Sequence, residues 1–205
     1  MSSTLSDLRI IDGHNDLPIA LRFRHNSDVD QVGAGMPQLH TDLPRLKQGQ
    51  VGGQFWSLFV PTTLGAAEAV QMSFEQIDLV HRLVARYPEQ LVLCRTAEDM
   101  ERARAEGLLG SLMGLEGGHS IGDSTAILRI FAELGVRYMT LTHNEGPDWA
   151  EPCTADPGAH GLTDRGRLIV RVMNRVGMLV DLSHVAPATM AAALDETRAP
   201  VIFSH

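Results

Sequence analysis

The chain has 205 residues, 44% hydrophobic and 20% charged, an ordinary globular composition that argues against a disordered protein. With 17 Lys and Arg against 25 Asp and Glu its formal charge is -8, and no basic cluster interleaved with aromatics occurs, so nucleic acid is not an expected partner. Cys94 and Cys153 lack CxxC spacing, no apolar run approaches a membrane span, and the first strand starts too near Met1 for a secretory leader; a reduced, cytoplasmic protein is expected.

In chain order, the first strand is Ile10-Ile11-Asp12-Gly13-His14-Asn15-Asp16, whose alternation places His14 and Asp16 on one face. The polar, Gly-containing stretch from Arg24 to Gln50 reads as a long loop, and Gln54 to Val60 as the next strand. Ser73 is expected to cap a helix, with Gln76 in the capping-box position, Ile77, Val80 and Val84 as its apolar stripe, and Pro88 past its end. Leu91 to Cys94 has the composition of a short extra strand, and Thr96 opens a helix closing near Gly107.

Leu112 to Glu116 is a strand ending on a carboxylate, followed by a helix from Asp123 or Ser124 to Gly135 and a strand from Tyr138 to His143. Glu145 to Gly161, rich in Pro, Gly and Asp, reads as a second long loop. Thr163 starts a helix through Leu168, Val172 and Val176 to Gly177, and a strand from Leu179 to His184 follows. Pro187 suits the first turn of the last helix, and Val201 to His205 is the last strand.

Regular alternation of strands and helices indicates the α/β class with a parallel sheet. Metal-seeking side chains at successive C-terminal strand ends indicate a (β/α)8 TIM-type barrel with its site at the rim, the long loops covering it. Residues 1–205 read as one metallohydrolase domain supplying about six strand-helix units. Because six units cannot close eight strands and His205 falls at the end of the sixth, the expectation is a barrel truncated there.

The metal-ligand set is expected to be His14, Asp16, Glu116, His184 and His205, three imidazoles and two carboxylates suited to zinc and, less exclusively, to manganese or cobalt. Five ligands exceed the needs of one tetrahedral ion, so a bridging Glu116 is expected to serve two zinc ions, with a hydroxide between them as nucleophile. His143 is placed to donate to the developing oxyanion, and Asp12 to orient His14 from behind. His25, His40, His81 and His160 are read as structural, His119 as structural or supporting the site, and Trp56 and Trp149 as packing residues. Glu116-Gly117-Gly118-His119 lacks a phosphate-loop pattern.

Several stretches resemble the zinc-dependent membrane (renal) dipeptidase family, metallopeptidase family M19. They are Asp12 to Pro18, Gly114 to Ser120, Leu141 to Asn144, Gly161 to Asp164 with Met173 to Arg175, Val180 to His184, and Pro200 to His205, in the family's order and across essentially the whole chain. The resemblance implies a binuclear zinc barrel that hydrolyses dipeptides. His14 and Asp16 would hold one ion, His184 and His205 the other, Glu116 would bridge, and His143 would contact the substrate near the scissile carbonyl. It also places the family's substrate-carboxylate arginine and catalytic aspartate beyond the sixth strand. Glu145 stands where some secreted members have a cysteine, which fits a reducing compartment.

The expected partner is a small dipeptide, with neither nucleic acid nor membrane; a homodimer is allowed. Two other readings stay open. One is another binuclear barrel metallohydrolase acting on lactones, cyclic amides or phosphoesters, although its usual first-strand signature is His-x-His where this chain has His14-x-Asp16. The other is a catalytically incomplete metal-binding fragment.

Overall fold

The computed structural model describes residues 9–155 and 160–205, so the middle of the Glu145 to Gly161 loop lies outside the described residues. Its strands are β1 (Ile10–Asn15), β2 (Val51–Phe59), β3 (Leu91–Leu93), β4 (Leu109–Glu116), β5 (Val136–Thr140), β6 (Leu179–Asp181) and β7 (Val201–Ile202). The helices are α1 (Leu17–His25), α2 (Leu43–Gln48), α3 (Ala66–Arg86), α4 (Ala97–Glu106), α5 (Thr125–Glu133), α6 (Asp164–Val176) and α7 (Pro187–Glu196). All named strand pairs are parallel, in the order β1-β2-β4-β5-β6-β7. This six-stranded path is a partial TIM-type barrel. The short β3 adds to the N-terminal half of β4, on Leu109 to Ser111, and β5 takes over from Met113.

Alternation sends neighbouring residues of each strand to different layers. Trp56, Met113, Met139 and Val180 join the large core under the helices, whereas Phe55, Leu112 and Tyr138 join a smaller cluster on the other face. Strand β4 is buried along its entire length, as a parallel strand covered on both faces must be. The sheet curls enough that a Cβ on Gly13, near the end of β1, would meet the Ser204 carbonyl oxygen just past β7 at 2.6 Å. Glycine is required there by backbone approach.

Most helix ends follow their local chemistry. Thr96 and Thr163 cap α4 and α6, which end on left-handed Gly107 and Gly177, and the Ser124 hydroxyl accepts the Ile127 N–H at the start of α5. Two expectations need correction. Ser73 is no cap: it lies inside α3, its hydroxyl donating to the Ala69 carbonyl at 2.8 Å, because the apolar stripe continues upstream through Ala69 and Met72. The stretch Arg24 to Gln50 is not all loop either. It contains α2, capped by Asp42, and buries Val29, Val32, Met36 and Leu39.

Gly114 pairs with Tyr138 across β4 and β5, and any Cβ there would run into the Tyr138 ring. Replacing Gly114 with Ala should therefore destabilise the fold by about 1–3 kcal/mol, the usual range for overpacking. Urea unfolding measures this, and an unchanged midpoint would show that the ring is not confined.

Candidate metal centre

Each expected rim residue is delivered by a strand end or by the turn directly after it. His14 belongs to β1, and Asp12 Oδ1 accepts the His14 backbone N–H at 3.2 Å. Asp12 thus holds the His14 backbone. Asp16 lies past the strand, at the start of α1, where the Asn15 side chain accepts the Leu17 N–H at 3.0 Å. A turn, not strand alternation, brings Asp16 Oδ1 to 3.5 Å from His14 Nε2.

Glu116 ends β4 and is the centre of the cluster, its side chain only 6% exposed. The Ser57 hydroxyl of β2 donates to Oε2 at 2.9 Å, and His14 Nε2 lies 3.4 Å from the same oxygen. Oε1 faces three other imidazoles: the Nε2 atoms of His143, His184 and His205 stand at 3.5, 3.6 and 3.8 Å. His143, His184 and His205 each lie three residues beyond the end of their strands. His184 adopts a left-handed φ of 64°, with its carbonyl accepting from the Thr142 hydroxyl and the Cys153 N–H. Such a conformation in a non-glycine residue is uncommon and often marks a functional site.

Two overlapping triads bring donor atoms within 4.8 Å of one another: His14, Glu116 and His205, and Glu116, His143 and His184. Glu116 is common to both. His143 stands as near to it as His184 does, so the geometry by itself gives His143 a ligand-like place alongside the substrate-facing one expected of it. Nitrogen and carboxylate donors converging without a thiolate fit zinc and similar divalent ions.

The electrostatics follow from this crowding. Burial opposes the charged form of His14, yet the carboxylates of Asp16 and Glu116 outweigh it and raise its pKa to about 9. Burial likewise pushes the Glu116 carboxyl up, but hydrogen bonds from His14 and Ser57 and the neighbouring imidazoles bring it down to about 2. His143, His184 and His205 are all lowered, first by burial and then by one another or by His14.

Several contributors were not singled out from sequence. Tyr138 hydrogen-bonds His14 Nδ1 at 3.1 Å, and Ser57, Asp181 and Ser204 complete the polar layer behind the imidazoles. The available signal was polar side chains set within otherwise apolar strands, and Gly114 opposite the bulky Tyr138. His119 donates through Nε2 to the Val60 carbonyl, 3.0 Å away, and His81 Nε2 donates to the Leu134 carbonyl at 2.9 Å. Beside His14 and Asp16 opens a cavity of about 430 Å³ walled by Phe23, Arg24, Leu39, His40 and Thr41, so His40 stands beside the cluster.

A parallel α/β barrel sheet with an imidazole-carboxylate cluster at its C-terminal rim defines a barrel with a candidate metal site. The chain belongs to the membrane dipeptidase family, peptidase family M19, matching it over residues 1–205. It is 42% identical to dipeptidase 3 of Rattus norvegicus and 40% identical to dipeptidase verJ of Clonostachys rogersoniana, each over 98% of this chain. It spans 42% and 55% of those two proteins, about half their length. Among solved structures, dipeptidase AC, an M19 metallopeptidase, superposes with a TM-score of 0.86 at 25% identity, covering 97% of this chain and 63% of its own. A metallopeptidase from Rhodobacter sphaeroides, liganded with a phosphinate mimic of L-Ala-D-Ala, shares the fold with a TM-score of 0.87 at 24% identity, covering 97% of this chain and 65% of its own.

The two large shifts set a stability window for chelator-stripped protein. His14 binds its proton more tightly folded than unfolded, so its contribution is complete below pH 6.5 and is lost as pH rises through about 9. The Glu116 contribution is present above pH 4.5 and is lost as pH falls toward about 2. Thermal melting should thus show a Tm that falls between pH 6.5 and 9, and Glu116→Gln should flatten that fall. An equal fall in the variant would separate the two groups.

Proposed function

We propose that the protein is a metal-dependent dipeptidase that hydrolyses the peptide bond of a dipeptide with two zinc ions per chain. The carrying observation is the convergence of four imidazole Nε2 atoms on the two oxygens of one buried carboxylate, Glu116, at 3.4 to 3.8 Å. In this reading His14 and Asp16 would hold one ion and His184 and His205 the other, with Glu116 the carboxylate common to both. Manganese or cobalt suits the same donors. When bound, the ions supply a Lewis acid for the carbonyl and bring the pKa of water near 7.

The chain's own residues supply the rest of the reading. Ser57 fixes the Glu116 carboxylate, and burial keeps His143 neutral, so a hydrogen bond from it to the substrate oxygen carries no charge of its own before reaction. The cavity beside His14 offers a dipeptide an aromatic wall at Phe23 and polar groups at Arg24, His40 and Thr41. We further propose a reducing, cytoplasmic setting without nucleic-acid or membrane partners. The two free thiols, Cys94 buried and Cys153 exposed, support that setting, and no helix among the described residues is long and apolar enough to cross a membrane.

A second reading is metal binding without turnover, which the same imidazole-carboxylate cluster carries. Metal analysis and turnover separate the two. The first reading expects zinc to be retained and dipeptides to be cleaved; zinc without cleavage favours the second.

Glu116→Gln should cut both zinc retention and dipeptide hydrolysis by more than the ~10–100-fold typical of residues that only support a ligand. Unchanged hydrolysis in that variant would overturn the assignment.

A further inference from the structure

Behind the imidazoles, on the side away from Glu116, lies a chain of hydroxyl groups that ends on one carboxylate. Asp181, the last residue of β6, is fully buried. Its Oδ1 accepts from the Ser183 N–H at 3.1 Å, the Ser183 hydroxyl at 3.0 Å and the Ser204 N–H at 3.1 Å. Its Oδ2 accepts from the hydroxyls of Thr140 at 2.6 Å and Ser204 at 2.7 Å. These donors come from the ends of β5, β6 and β7.

The direction of the Ser204 bond to Asp181 follows from that end point, because a carboxylate only accepts. Ser204 commits its single proton to Asp181, so His205 Nδ1, 2.8 Å from Ser204 Oγ, must be the donor in their bond. The His205 ring therefore carries hydrogen on Nδ1, which leaves Nε2 as the coordinating atom, 3.8 Å from Glu116. For His205 the vacant Nε2 also faces His184 Nε2 at 2.8 Å.

We propose that Asp181 is a positioning residue that acts through Ser204 to preset the Nδ1–H form of His205, aiming its Nε2 at the ion site. A hydroxyl here takes the place of the carboxylate or carbonyl that usually backs a metal-binding histidine. The proposal rests on the metal-site reading above, and its test separates the two.

Imidazole 15N NMR on the chelator-stripped 205-residue chain reads the tautomer of His205 directly. The wild type should show Nδ1–H, Ser204→Ala should shift the population toward Nε2–H, and Ser204→Thr should keep the wild-type signature. Thr140→Val removes a donor from Asp181 without touching a histidine, so it should lower the Tm and leave the tautomer alone. Zinc affinity by chelator competition should weaken ~10–100-fold in Ser204→Ala and recover in Ser204→Thr. An Nε2–H wild type, a tautomer moved equally by Thr140→Val, or an unchanged affinity and tautomer in Ser204→Ala overturns the proposal. Wild-type protein that binds no zinc overturns the metal-site reading instead, while the wild-type NMR signature still decides this one.

Discussion

The Glu116 carboxylate governs the rest of the structure, because a buried negative charge is tolerated only where donors or cations surround it. Ser57 supplies one hydrogen bond from β2, and four imidazoles arrive from β1 and from the loops after β5, β6 and β7. Without an ion, His14 answers this demand by holding its own proton, with a pKa of about 9, while burial, and then the neighbouring imidazoles, lower the other three. Divalent cations answer the same demand with more charge. The site is therefore arranged around one acceptor whose two oxygens face different sets of nitrogen donors, the arrangement on which the proposed two-ion site rests.

That arrangement needs the sheet to curl. Gly13 lets the end of β1 approach the backbone at Ser204, which sets the His14 and His205 rings with centroids 4.0 Å apart. Gly114 leaves room for the Tyr138 ring, whose hydroxyl then reaches His14. The apolar layer under the helices and the smaller cluster inside the curl are the two faces of the same strands, so packing on one face fixes the direction of the ligands on the other. Catalytic-type residues sit at the C-terminal strand ends for this reason.

Much of this was legible in the sequence, because strand-helix alternation and capping are local. Thr96, Thr163, Gly107 and Gly177 mark helix ends by side-chain and backbone chemistry that needs no tertiary context. The rim histidines were visible as polar residues closing apolar runs. Strand phase was a poorer guide than it looked, since Asp16, His143, His184 and His205 lie beyond their strands and are aimed by turns. Ser73 misled because a serine followed by a glutamine three residues on looks the same inside a helix as at its start; only burial against Ala69 and Met72 tells them apart. Tyr138, Ser57, Asp181 and Ser204 carried no signal by residue type, because their roles come from contacts between strands far apart in sequence.

The central claim is that Glu116 is shared by two ions. Anomalous diffraction at the zinc edge from crystals of zinc-loaded protein tests it most directly. The account predicts two anomalous peaks per chain, one on each side of the Glu116 carboxylate, with His14 and Asp16 at one and His184 and His205 at the other. A single peak, or peaks that leave Glu116 without a contact, would contradict it.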